Sequence, residues 1–100
     1  MKNYRKKPEV VQAMEWDGTA VGATPIIEWA ASSGATIRYR HDPIDARLGD
    51  RRQFDVFLSV KTVEGTIIQG RKGDFIVQGA QGGFHPVNPA LFALTYEEAS

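Results

Sequence analysis

The sequence contains no cysteine among its 100 residues. That absence excludes a disulfide framework, a thiolate nucleophile and any cysteine-ligated zinc centre, and it suits a reducing compartment. Histidine is almost as scarce. With only His41 and His85 in the chain, a multi-histidine metal site is excluded, and the spacing of carboxylates around the pair supports no two-histidine site. An excess of one charge is lacking too. Twelve Lys and Arg balance twelve Asp and Glu, so no net field draws the molecule to long nucleic acid or to a membrane. Electrostatic recognition therefore depends on local clusters.

No apolar run approaches the roughly 18 residues that span a bilayer. Val10-Val11 gives way at once to Gln12 and Glu15, so the basic start does not read as a secretory leader. Catalytic signatures are missing as well. There is no G-x-S-x-G elbow, and Ser32, Ser33, Ser59 and Ser100 have no histidine at a recognisable spacing. The expectation is a soluble, intracellular, non-enzymatic single domain over residues 1–100, with no cofactor.

What is present is an ordinary globular balance, 42% hydrophobic and 24% charged, with ten glycines and five prolines marking the turns. "VVQAMEW" alternates as a strand, with Val10, Met14 and Trp16 on one face, until Asp17-Gly18 stops it. "ATPIIEWAASSGA" predicts a helix over about 24–33. Thr24 would be its cap, Pro25 its first residue and Gly34 its left-handed stop. "TIRYRH" alternates again and is broken by Asp42-Pro43. "FDVFLSVKT", "TIIQG" and "FIVQG" read as a three-stranded antiparallel meander joined by turns at Glu64-Gly65 and Gly70–Asp74. Asn88 and Pro89 then open a short helix over about 89–94. Strands around one main helix make an α+β fold, a small twisted antiparallel sheet or partly open barrel.

Several basic clusters are candidate anion sites, and each has a plainer explanation. Arg38 and Arg40 lie on one face of one strand, about 7 Å apart. They would hold an anion or pair with Asp42, Asp45 or Asp55. Arg5-Lys6-Lys7 offers phosphate ligands, or is the solvated lead-in to a strand. Arg71 and Lys72, between Gly70 and Gly73, could form an anion-binding nest or an exposed hairpin turn. Arg47, Arg51 and Arg52 share a loop with Asp45 and Asp50, a mixture more typical of a solvated connection than of a lid. In "GGFHPVNP" the glycines permit a close backbone approach, Phe84 could stack on a base, and His85 could hydrogen-bond to it. Trp16 and Trp29 are most simply core residues.

Two blocks carry a resemblance. "YRKKPEVVQAMEWDG" and "GDFIVQGAQGGFHPVNPALFALTYEE" together resemble a widespread group of small phage and prophage proteins. The match rests on Tyr4 to Pro8, Val10, Ala13, Trp16 to Gly18, Gly73, Asp74, Ile76, Gly79, Gly82, Phe84, Pro86, Pro89, Phe92 and Thr95 to Glu97. Residues 19–60 have no counterpart in it. Where similar sequences often carry an acid, as in GEFYP, this chain has Gly83 and then His85, which makes the spot friendlier to anions. The resemblance implies a phage accessory protein working in the host cytoplasm, a class rich in anti-defence factors. The function expected from it is sequestration of a nucleotide-derived anion, of cyclic nucleotide or ADP-ribose type, in a basic pocket of a homo-oligomer. The ligand-binding set would be drawn from Arg38, Arg40, Arg5, Lys7, Arg71, Lys72, Phe84 and His85. The alternative is a protein–protein module that inhibits a host or phage protein.

Overall fold

A computed structural model of the chain describes residues 2–3, 10–43, 54–79 and 81–97. The elements are β1 (Gln12–Glu15), α1 (Ala20–Ser32), β2 (Ile37–Pro43), β3 (Phe54–Lys61), β4 (Ile67–Gly70), β5 (Phe75–Gln78), β6 (Phe84–Val87) and α2 (Pro89–Thr95). They form an α+β fold with two three-stranded antiparallel sheets, ordered β1-β5-β6 and β2-β3-β4. The sheets do not close into one barrel.

The main helix starts a full turn earlier than Thr24-Pro25 suggests. Thr19 is its cap: the Thr19 hydroxyl accepts from the Gly22 N–H at 2.9 Å. Asp17 fixes that cap by accepting from both the Thr19 N–H at 2.9 Å and the Thr19 hydroxyl at 2.6 Å. A side chain on Gly22 would overlap the Asp17 carboxylate, so the first turn closes only over a glycine. Pro25 lies inside the helix, where it can donate no hydrogen bond to the Val21 carbonyl. Val21 is 85% exposed, so this defect falls on the solvent side. Gly34 ends the helix with φ +77, as its position predicts.

The expected meander also shifts. β2, β3 and β4 form it, whereas β5 leaves for the other sheet and pairs with β1 and β6. The turn after β4 explains the departure. Its Gly73 N–H donates to the Trp16 carbonyl at 2.8 Å, and the Trp16 N–H donates to the Asp74 carbonyl at 3.0 Å. β5 is thereby delivered to β1, with Met14 opposite Ile76. β2 runs through Asp42-Pro43, which the sequence reads as a break, and Pro43 pairs at its last position. "FHPV" is a strand despite Pro86. It lies at a sheet edge, where a residue without an N–H is tolerated.

The core gathers both sheets and α1. Trp16, Ala23, Ile26, Ala30, Ile37, Leu58, Val60, Ile76 and Phe84 form one buried cluster. Full burial of each large member stabilises by about 1.5–3 kcal/mol. Trp16 also satisfies its ring N–H by donating to the Thr19 carbonyl at 2.9 Å. Val10, expected on the same face as Trp16, is 81% exposed. α2 is capped by Asn88, which accepts from the Leu91 N–H at 2.8 Å, and it begins at Pro89 as expected. It buries no residue and is seated by Phe92, whose ring stacks on Phe75 at 3.9 Å.

Candidate functional site

Directly opposed residues of an antiparallel pair point to the same side of the sheet. Ile37 opposite Val60 and Tyr39 opposite Leu58 therefore make the inner rows of β2-β3-β4. The outer rows pair Arg38 with Ser59, Arg40 with Phe57 and Asp42 with Asp55. β4 adds Ile67 beside Lys61 and Gln69 beside Ser59. One sheet face thus collects Arg38, Arg40, Lys61 and, just beyond β4, Arg71.

Two of these cations are spent on neighbouring acids. Asp42 and Asp55 stand directly across from each other, a like-charge pair that needs counter-ions. Arg40 bonds Asp42 at 3.2 Å, and Arg71 forms an ion pair with Asp55. Arg71 also donates to the Gln69 amide oxygen and lies over the Phe57 ring, 5.2 Å from its centre. Arg38 and Lys61 have no acidic partner among the described residues. Four cations against two carboxylates leave the face positive, with the surplus at the Arg38–Lys61 end. There a groove of about 310 Å³ is lined by Thr36, Arg38, Arg40, Ser59, Lys61 and Ile67.

The other candidates lie elsewhere. Phe84 is 1% exposed and packs edge-on against Trp29 with ring centres 4.8 Å apart, so it belongs to the core and offers a ligand no stacking face. His85 is half-buried and lines a separate groove of about 510 Å³ with Val63, Glu64, Thr66 and Ile68. Hydrogen bonds from the Thr19 hydroxyl and then the Thr19 N–H hold the Asp17 carboxyl below the usual carboxylate range, and the charge of Lys72, whose side chain crosses Gly18, adds the smallest share. Of the turn's two cations, Arg71 therefore joins Arg38 and Arg40, whereas Lys72 serves the Asp17–Gly18 turn. Arg5 and Lys7 lie outside the described residues, as do Arg47, Arg51 and Arg52.

Thr36, Ser59 and Lys61 are the site residues that sequence reasoning missed. Ser59 and Lys61 do alternate outward in "FDVFLSVKT", but only the register against β2 puts them beside Arg38. Among the described residues no group of three or more His, Asp or Glu could hold a metal ion, and no helix is long and apolar enough to cross a membrane. No protein-family model, curated protein or solved structure matches the chain.

Proposed function

We propose that this protein is a non-enzymatic binder that sequesters a small nucleotide-derived anion, of the cyclic nucleotide or ADP-ribose type, on the outer face of β2-β3-β4. The observation that carries this reading is the pair of cations with no acidic partner among the described residues, Arg38 and Lys61, in a groove with the hydroxyls of Thr36 and Ser59. A guanidinium, an ammonium and two hydroxyls are donors suited to phosphate oxygens. Among the described residues neither imidazole nor carboxylate lines the groove, which favours holding an anion over moving a proton. At about 310 Å³ the groove is at the small end of ligand sites, consistent with completion by a second copy. With the phage resemblance, this amounts to an anti-defence protein of the host cytoplasm.

Isothermal calorimetry with cyclic dinucleotides, cyclic mononucleotides and ADP-ribose tests the reading. The expected result is binding by the wild type that Arg38→Glu or Lys61→Glu abolishes and Lys72→Glu does not. A folded sample that gives no heat with any of these ligands overturns it. Unchanged ligand after prolonged incubation is expected too; product formation would convert the binder into a hydrolase.

A second reading, a module that binds and inhibits another protein, draws on α2. Leu91 and Leu94 stand three residues apart there and are 52% and 87% exposed. Leu94→Lys would break capture of such a partner while leaving the Arg38 groove intact.

A further inference from the structure

The described fold has four sheet edges, and they are unlike one another. β1, β4 and β6 are each four residues long. β6 carries Pro86 within it, and β4 ends in Gly70, where an added Cβ would lie 3.4 Å from Pro86 Cβ on the neighbouring sheet. Short length, proline and close cover are the usual means of blunting an edge. β2 differs: its guards are the charges of Arg38, Arg40 and Asp42, of both signs, and not shortness or a proline within the strand. It runs seven residues, pairs one-to-one with β3 without a bulge, and has its only proline at the last position. Among the described residues no strand pairs with its other side.

We infer that β2 is the pairing edge of a two-fold homodimer, joined antiparallel to β2 of a second copy with Arg40 on the axis. The strand "IRYRHDP" is chemically self-complementary about that residue. Ile37 falls opposite Pro43 of the second copy, Tyr39 opposite His41, and Arg38 opposite Asp42. Each relation occurs twice because the interface is isologous. The two Arg40 side chains meet at the axis, each already bonded to Asp42 of its own chain at 3.2 Å. Every Asp42 carboxylate then lies between its own Arg40 and the second copy's Arg38. Moving the axis by one residue to Tyr39 sets Arg38 against Arg40 and loses this match; moving it to His41 sets Arg40 against Asp42 but leaves Arg38 with no opposed acid, so the Arg40 axis is the register in which both arginines of each strand adjoin an Asp42.

The result is one six-stranded sheet, with the two Arg38 grooves on the same face on either side of the axis. Arg38 carries five N–H donors, so a carboxylate from the second copy can orient it while donors remain for an anion. The dimer follows from strand chemistry alone and stands whether or not the groove takes a nucleotide.

Analytical ultracentrifugation of the full chain decides the matter. The wild type should sediment with twice the monomer mass. Arg38→Asp and Asp42→Arg should each reduce it to the monomer, with far-ultraviolet circular dichroism unchanged, because both sites are surface positions. The double variant R38D/D42R should return to the dimer, since it rebuilds the cross-strand pair in the opposite sense and also restores an acid beside Arg40. A monomeric wild type overturns the inference. So does a dimer indifferent to both single reversals, or a double variant that stays monomeric.

Discussion

The contact between the β3–β4 hairpin and the loop before β6 gives a prediction whose sign runs against ordinary expectation. Gly83 has no positive φ, so its backbone suits any residue. Gly to Ala at such a position would stabilise by about 0.4–1 kcal/mol, through a less flexible unfolded chain. The structure predicts the reverse. A methyl group on Gly83 would overlap Val63 Cγ2 and approach Val63 Cβ to 3.2 Å. Overpacking typically costs about 1–3 kcal/mol. Val63 is 68% exposed at a hairpin tip that can yield, which puts the cost near the lower end. Gly83→Ala should therefore lose the expected gain and come out up to about 0.6 kcal/mol destabilising net. Val63→Ala alone should change stability by less than about 0.5 kcal/mol, because the side chain is mostly in solvent. In the Val63→Ala background the overlapping methyl is gone, and Gly83→Ala should recover the stabilisation of about 0.4–1 kcal/mol. The coupling is then about 1 kcal/mol, well above the roughly 0.3–0.5 kcal/mol scatter of independent sites. Urea titration of the four proteins measures it as shifts in midpoint at constant slope. The corresponding change in melting temperature is about 4–8 °C. If Gly83→Ala stabilises equally in both backgrounds, the close approach of these two loops is wrong.

Two further predictions concern the start of α1. Thr19→Ala removes the cap on Gly22 N–H and one of the donors to Asp17, and should cost about 1 kcal/mol, with Thr19→Ser restoring most of it. Helicity and denaturation midpoint report both. Asp17 has a depressed carboxyl, so its stabilising effect is fully present above its unfolded value of 3.8 and is lost as the pH falls through the lower folded value. The stability gap between wild type and Asp17→Ala should accordingly be constant near neutral pH and shrink below pH 3.8; a gap that widens in acid would contradict the assigned hydrogen bonds.

The helices were legible to different degrees for a physical reason. α2 carries its own start signal in Asn88-Pro89, and the structure keeps it. Thr24-Pro25 carries a similar signal and is overruled, because Asp17, Thr19 and Gly22 form a tighter cap five residues earlier. Propensity near a proline is a local preference, and a three-residue hydrogen-bonded cap defeats it. The strands show the same split. Alternation placed Leu58, Val60 and Ile37 on the buried face, since burial follows directly from the period of two. It could not say which strands pair. That choice is made by the Trp16–Gly73 and Trp16–Asp74 backbone bonds, which are non-local. The candidate groove was half legible for the same reason: Arg38 and Arg40 stand out on one strand, but Lys61 and Ser59 become neighbours only through the β2–β3 register.

The backbone bonds at Trp16 also join the two sequence blocks "YRKKPEVVQAMEWDG" and "GDFIVQGAQGGFHPVNPALFALTYEE". Trp16-Asp17-Gly18 belongs to the first block and Gly73-Asp74 to the second, and in the fold they touch. Trp16 bonds both Gly73 and Asp74, while Asp17 starts α1 and Gly18 makes room for Lys72. These letters are accounted for by the junction that seats β5 against β1 and launches the helix, with no ligand required. Phe84 and Ile76, also in the second block, are core. The cations that suit a ligand sit apart: Arg38 and Arg40 fall within residues 19–60, between the two blocks, and Lys61 lies at the margin of that stretch. A scaffold whose junction is built by one set of residues and whose charged face is built by another can change its ligand without disturbing its fold. On that argument, Lys61→Glu should leave the melting temperature nearly unchanged while abolishing anion binding, whereas Gly73→Ala, at φ +90, should lower it without touching the groove.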